Sequence, residues 1–147
     1  MTISTLSVIG LGYIGLPTAA VFASRKLHVV GVDVNPQTVD IINQGRIHIV
    51  EPDLDMVVRA TVKEGYLRAT LTPEASDAFI LAVPTPFNED RTADLSYIQS
   101  ASEAIAPVLE KGNLVILEST SPVGATEKMA EWLAAARPDL TFPQQVG

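Results

Sequence analysis

Three glycines and one aspartate carry the clearest chemistry in this 147-residue chain. Gly10-Leu-Gly-Tyr-Ile-Gly15 follows the apolar run Thr5 to Ile9 and opens an alanine-rich stretch. A glycine-rich turn between a strand and a helix can hold an anionic phosphate, because the helix start offers N–H groups and the positive end of its dipole. Gly10 permits the tight turn out of the strand. Gly12 removes a Cβ where a pyrophosphate approaches the backbone, and Gly15 lets the helix press on the sheet. The helix is expected to start near Tyr13, with Pro17 tolerated in its first turn. Asp33 stands 18 residues after Gly15, at the end of the next apolar run. An acid there accepts hydrogen bonds from an adenosine ribose and repels a 2′-phosphate, which favours NAD over NADP. Thr38, close by, adds no positive charge. A plain βα turn followed by a solvated acid has the same composition. Methyltransferases that bind S-adenosylmethionine can also show a glycine-rich first turn and an acid after strand two.

The elements that must position these groups alternate along the chain. Short apolar, β-branched runs occur at Thr5 to Ile9, His28 to Asp33, Leu67 to Leu71, Ala78 to Val83 and Leu114 to Glu118. Between most of them lie stretches with helical spacing, so the chain reads as βαβ units around a mostly parallel sheet. The continuous apolar runs predict strands buried on both faces. Asn35 and Pro36 predict a helix start, with an end near Gly45. A second helix is expected between Glu51 and Gly65, with Asp53 near its start. Asp94 predicts a cap for a third running to about Leu109, and a fourth is expected from near Ala125 to Ala136. The expected fold is α/β, a doubly wound sheet with strand order 3-2-1-4-5-6. The sixth strand is expected after Gly147, which leaves Leu114 to Leu117 as an apolar edge prone to pair with another chain.

Composition narrows the function classes. Hydrophobic residues make up 47% and charged residues 18%, which excludes a disordered chain. No cysteine is present, so disulfides, thiolate metal sites and cysteine nucleophiles are excluded within these residues. His28 and His48 lack metal-ligand spacing, and no metal is expected. The net charge of -7 argues against nucleic-acid and anionic-membrane partners. No apolar run approaches the roughly 18 residues of a membrane span. The first positive side chain is Arg25, so no signal peptide is expected and the cytoplasm is the expected compartment.

Four ordered motifs carry a family resemblance across essentially the whole chain: Gly10-Leu-Gly-Tyr-Ile-Gly-Leu-Pro17, Ile49-Val-Glu-Pro-Asp-Leu54, Val83-Pro-Thr-Pro86 and Glu118-Ser-Thr-Ser-Pro-Val-Gly124. Together they resemble the N-terminal cofactor domain of the UDP-sugar 6-dehydrogenases, the UDP-glucose/GDP-mannose dehydrogenase family. Ile47 to Pro52, Val83 to Phe87, Leu117 to Gly124 and Glu127 to Leu133 look most like its UDP-N-acetylmannosamine branch. The resemblance implies a Rossmann-type fold lacking its last strand, NAD as cofactor, and two-step oxidation of a sugar C6 alcohol to a carboxylate. The product of that branch feeds surface polysaccharides such as enterobacterial common antigen. UDP-glucose oxidation and a stand-alone nucleotide-binding module without catalysis are the alternatives.

The resemblance also implies residue roles. Tyr13 and Ile14 would contact NAD from the phosphate turn, and Asp33 its ribose. Thr85, Ser119 and Thr126 would lie on the cofactor side, and Thr120 would help position water near the reacting carbon. Glu118 is open to two readings, a general base or a residue that orders the loop. The family's catalytic cysteine, lysine and asparagine have no counterpart in residues 1–147, and none of Lys26, Lys63, Lys111 or Lys128 lies in a matching motif. The chain therefore reads as a truncated NAD-binding domain, inactive alone, whose UDP-sugar substrate and homodimeric or higher assembly belong to the full-length enzyme.

Overall fold

The computed structural model describes residues 2–118 and 123–143. The chain runs β1 (Thr5–Ile9), α1 (Gly15–Ser24), β2 (His28–Val32), α2 (Pro36–Asn43), α3 (Leu54–Lys63), β3 (Leu67–Thr70), β4 (Ala78–Leu81), α4 (Ser96–Ile105), β5 (Leu114–Leu117) and α5 (Ala125–Ala136). All the strand pairs are parallel, and the sheet order is β3-β2-β1-β4-β5. The order reverses between β1 and β4, the place where open α/β sheets bind ligands. This is a doubly wound α/β fold of the Rossmann type.

Strand periodicity sorts the core into two layers. Leu6, Val8, Ala78 and Ile80 point to one face, where Leu16, Ala19, Ala20 and Ala23 of α1 pack with Ile42 of α2 and Val58 of α3. Ile9, Phe79 and Leu81 point to the other face, against Ile98 and Ile105 of α4 and Met129 and Leu133 of α5. Phe79, Ile98 and Ile105 are fully buried. Each such side chain contributes about 1.5–3 kcal/mol of transfer free energy. The small residues of α1 allow close approach to the sheet, which sets the height of the turn that precedes the helix.

Several boundaries differ from expectation. Helix α1 begins at Gly15, two residues later than Tyr13, because residues 12–14 complete a turn after Gly10, whose φ is +97°. Asp94 does not cap α4 directly. It stands one residue before the N-cap Leu95, and its Oδ1 accepts the N–H of Ser96, the first residue of α4, at 2.9 Å. Helix α4 stops at Ile105 and tightens into a 3-10 turn, Ala106–Val108, where Pro107 lacks the N–H to continue it. Asp53 precedes α3 with a φ of +65° and makes no side-chain cap. Burial on both faces holds for β1 and β4, but β3 and β5 alternate, because edge strands are covered incompletely.

The two edges are finished differently. On β3, the Asn43 side chain donates to the Ala69 carbonyl at 2.9 Å and accepts the Ala69 N–H at 2.8 Å. One amide side chain thus occupies the main-chain groups of a neighbouring strand residue. The same strand carries Arg68, paired in bidentate fashion with Glu74. β5 has the uncharged sequence Leu-Val-Ile-Leu.

Candidate cofactor site

The turn between β1 and α1 is a backbone-on-backbone contact. A Cβ on Gly15 would lie 1.7 Å from the Gly10 carbonyl oxygen, so no other residue fits without moving the chain. A Cβ on Gly10 would meet the Ala82 carbonyl oxygen at 2.7 Å, and its positive φ adds strain to any replacement. Gly12 differs: a Cβ there would meet nothing within 4 Å. Its missing side chain leaves open space above the turn, not room for a protein neighbour.

The start of the turn is pinned by two N–H groups. Gly10 N–H donates to the Val32 carbonyl at 2.8 Å, and Leu11 N–H donates to Asp33 Oδ2 at 3.0 Å. Asp33 Oδ1 accepts the Asn35 N–H at 2.9 Å. Asn35 Oδ1 in turn accepts the Gln37 N–H at 2.9 Å and caps α2, as the sequence predicts. Each Asp33 oxygen thus holds one N–H and keeps acceptor capacity for another donor. Gly12, Tyr13 and Ile14 follow, ahead of the first residue of α1, where backbone N–H groups have no preceding helical turn to bond. Tyr13 is 66% exposed and Ile14 44%.

Sequence inspection missed Gly31. A Cβ on this β2 residue would lie 2.8 Å from Leu11 Cδ2, so Gly31 leaves the space that Leu11, itself buried, fills. Thr18 was also missed. Its hydroxyl donates to Glu118 Oε1 at 2.5 Å, joining the first turns of α1 to the residue after β5. Glu118 N–H donates to the Leu81 carbonyl at 2.8 Å. These two bonds fix Glu118 itself between α1 and the end of β4.

Thr85 is half-buried in the segment after β4. That segment is a built hairpin rather than a loose loop. Phe87 and Ala93 form an antiparallel bridge, and Asp94 N–H donates to the Pro86 carbonyl at 2.7 Å. Asp90 Oδ1 accepts the Thr92 N–H and hydroxyl, at 3.1 and 2.6 Å. Thr126 is exposed on the first turn of α5, and among the described residues no hydrogen bond ties it to the phosphate turn. Ser119 and Thr120 lie outside the described residues. The structure brings Gly10, Gly15 and Asp33 together and places Thr85 after another strand at the same end of the sheet. A cavity of about 220 Å³ opens at the opposite end, lined among others by Thr5, His28, Tyr66 and Arg68, and shares no residue with the turn. Among the described residues no group of acidic and histidine side chains could hold a metal, and no helix is long and apolar enough to cross a membrane.

Residues 4–146 match the NAD binding domain of the UDP-glucose/GDP-mannose dehydrogenase family. The chain belongs to this family. It is 68% identical over 143 residues to the NDP-N-acetyl-D-galactosaminuronic acid dehydrogenase of Ralstonia nicotianae, covering 97% of this chain and 34% of that protein. It is 67% identical over 147 residues to the UDP-N-acetyl-D-mannosamine dehydrogenase of Yersinia pestis, covering 100% of this chain and 35% of that protein. Among solved structures, the UDP-N-acetyl-mannosamine dehydrogenase of Staphylococcus aureus superposes with a TM-score of 0.87 at 41% identity, covering 98% of this chain and 37% of that one. The chain spans about a third of the length of the curated relatives it matches. NAD is the cofactor of this family domain, and the turn fits it: Gly12 leaves the space a pyrophosphate needs, and Asp33 presents acceptors for a ribose.

Proposed function

We propose that this chain is the NAD-binding part of a UDP-N-acetyl-D-mannosamine 6-dehydrogenase, which oxidises the sugar C6 alcohol to a carboxylate in two NAD-dependent steps. The observation that carries the cofactor half is the Asp33 carboxylate, fixed by Leu11 N–H beside the Gly10 to Gly15 turn. The substrate half rests on the similarity of the whole chain to the UDP-N-acetyl-D-mannosamine dehydrogenases. When bound, NAD supplies the hydride acceptor. In this reading Gly12, Tyr13 and Ile14 face the pyrophosphate, Asp33 takes the ribose hydroxyls and excludes a 2′-phosphate, and Thr85, Ser119 and Thr126 line the cofactor side. Thr120 orients a water near the reacting carbon.

The cysteine and lysine of the oxidation would lie in the part of the polypeptide that corresponds to the relatives' remaining length, with the sugar-binding domain. The isolated chain then binds NAD and oxidises no UDP-sugar. A homodimer or higher assembly, a cytoplasmic setting, and the absence of nucleic-acid and membrane partners complete the proposal. The net charge of -7 supports the last point.

A second sugar is favoured by one specific observation, the 68% identity to the galactosaminuronic relative. A chimera tests the cofactor half of the reading. This chain replaces the corresponding first third of the Escherichia coli UDP-N-acetyl-D-mannosamine dehydrogenase, to which it is 67% identical. The chimera is expected to form NADH from UDP-N-acetylmannosamine, while the isolated chain forms none. A folded, NAD-binding chimera without turnover would overturn the reading, and so would NADH formation by the isolated chain.

A further inference from the structure

We propose that Glu118 is an electrostatic element of the cofactor site, a fixed negative charge on the nicotinamide side that biases binding toward NAD⁺ over NADH. The inference rests on the cofactor reading above and adds a redox preference to it. It starts from the bond between Thr18 and Glu118, which none of the phosphate-turn contacts requires.

The sheet order fixes which half of the dinucleotide lies where. Asp33 follows β2, and the turn Gly10 to Gly15 follows β1. With the adenosine ribose at Asp33 and the pyrophosphate at the turn, the remaining half continues in the same direction across the switch point. The next strands in that direction are β4 and β5. Glu118 is the residue after β5, and its N–H donates to the carbonyl of Leu81, the last residue of β4, at 2.8 Å. It therefore stands at the carboxyl ends of both strands.

The carboxylate is also aimed. Leu114 and Ile116 pair with Ala78 and Ile80, so alternation puts Glu118 with them on the α1 face. There its Oε1 accepts the Thr18 hydroxyl at 2.5 Å. Thr18 N–H in turn donates to the Ile14 carbonyl at 3.3 Å, which stacks the two residues one helical turn apart, about 5.4 Å along the axis. Glu118 is thereby anchored one turn behind Ile14, at the end of the phosphate turn. It is half-buried, where a charge is screened less than on the open surface. Among the described residues no cationic side chain forms an ion pair with it.

The nicotinamide ring of NAD⁺ carries a positive charge, and acceptance of a hydride removes it. A neighbouring carboxylate attracts the oxidised ring and not the reduced one. The pyrophosphate has the same charge in both forms, so its repulsion by Glu118 cancels when the two affinities are compared. In a two-step oxidation, NADH from the first step has to leave before a second NAD⁺ enters. A weaker hold on NADH favours that exchange.

Titration of the chain with NAD⁺ by calorimetry and with NADH by fluorescence tests the proposal through the ratio of the two dissociation constants. Glu118→Gln keeps an oxygen for the Thr18 hydroxyl and removes the charge, and should shift the ratio about threefold or more toward NADH. Glu118→Lys should shift it further, because the charge reverses. Asp33→Ala, on the adenosine side, should weaken both forms alike. Melting curves of each variant confirm the fold. A ratio unchanged in both Glu118 variants, while both forms still bind, would overturn this inference and leave the cofactor reading intact. An unsubstituted chain that binds neither form would overturn both.

Discussion

Asp33 Oδ2 accepts the backbone N–H of Leu11 at 3.0 Å, so the acid after β2 holds the turn after β1 across 22 residues of sequence. One carboxylate therefore has two tasks, to shape the phosphate turn and to face a ribose. The chain should bind NAD more tightly than NADP, since the second cofactor would bring a phosphate against that charge. Asp33→Ala should weaken NAD binding by about 1–3 kcal/mol, through a ribose hydroxyl and the Leu11 N–H left unpaired. Calorimetric titration with both cofactors measures it. Tighter binding of NADP by the unsubstituted chain would refute the assignment.

Gly12 and Gly15 should separate binding from folding. Gly12→Val adds a side chain in open space, so the circular-dichroism spectrum should persist while NAD binding disappears. Gly15→Ala drives a Cβ onto the Gly10 carbonyl and should lower thermal stability by about 1–3 kcal/mol or more. If Gly12→Val binds NAD normally, the pyrophosphate lies elsewhere.

Gly31→Ala should act on the cofactor from beneath. The new methyl meets both Leu11 methyls at under 3 Å. Overpacking of this kind costs about 1–3 kcal/mol. Because Leu11 lies inside the phosphate turn, NAD affinity should fall as well. A melting curve and an NAD titration on the same sample show whether the two losses occur together.

The Thr18–Glu118 bond should contribute about 0.5–1.5 kcal/mol. A double-mutant cycle with Thr18→Val and Glu118→Ala, read by denaturant unfolding, isolates it. Strict additivity of the two single changes would show that the bond contributes nothing.

Asp77 should make part of the stability acid-sensitive. Its Oδ2 accepts the N–H groups of Ser4 and Thr5 and the Ser4 hydroxyl, at 2.9, 3.1 and 3.1 Å. The Ser4 and Thr5 N–H groups, followed by the Ser4 hydroxyl, hold its carboxyl below the ordinary aspartate value. The folded state therefore binds this proton less readily than the unfolded chain. Its contribution is full above the unfolded pKa and is lost as pH falls through the lowered folded value. Melting temperature against pH should fall less steeply in acid for Asp77→Asn than for the unsubstituted chain.

What was legible in the sequence was local. A glycine that must lack Cβ and an acid that ends a strand are visible in a few residues, and the alternation of runs predicts βαβ units around a parallel sheet. What stayed hidden depends on register and distance. Gly31 reads as a weak strand residue until β1 and β2 are aligned and Leu11 drops into its gap. The Asn43 bond to Ala69 spans 26 residues and the Thr18 bond to Glu118 spans 100, and neither follows a periodic signal. Pattern alone cannot tell a turn residue from a first helical one, so Tyr13 reads as the start of α1, which begins at Gly15. Ser119 and Thr120 lie outside the described residues, and the roles of Thr85 and Thr126 rest on family likeness.

The Asn43 amide also acts as a stopper. On the outer side of β3 it takes both the N–H and the carbonyl of Ala69 with a side chain of the same protomer. A further strand laid along this flank would have to break both bonds at that residue, which guards it against edge-to-edge association.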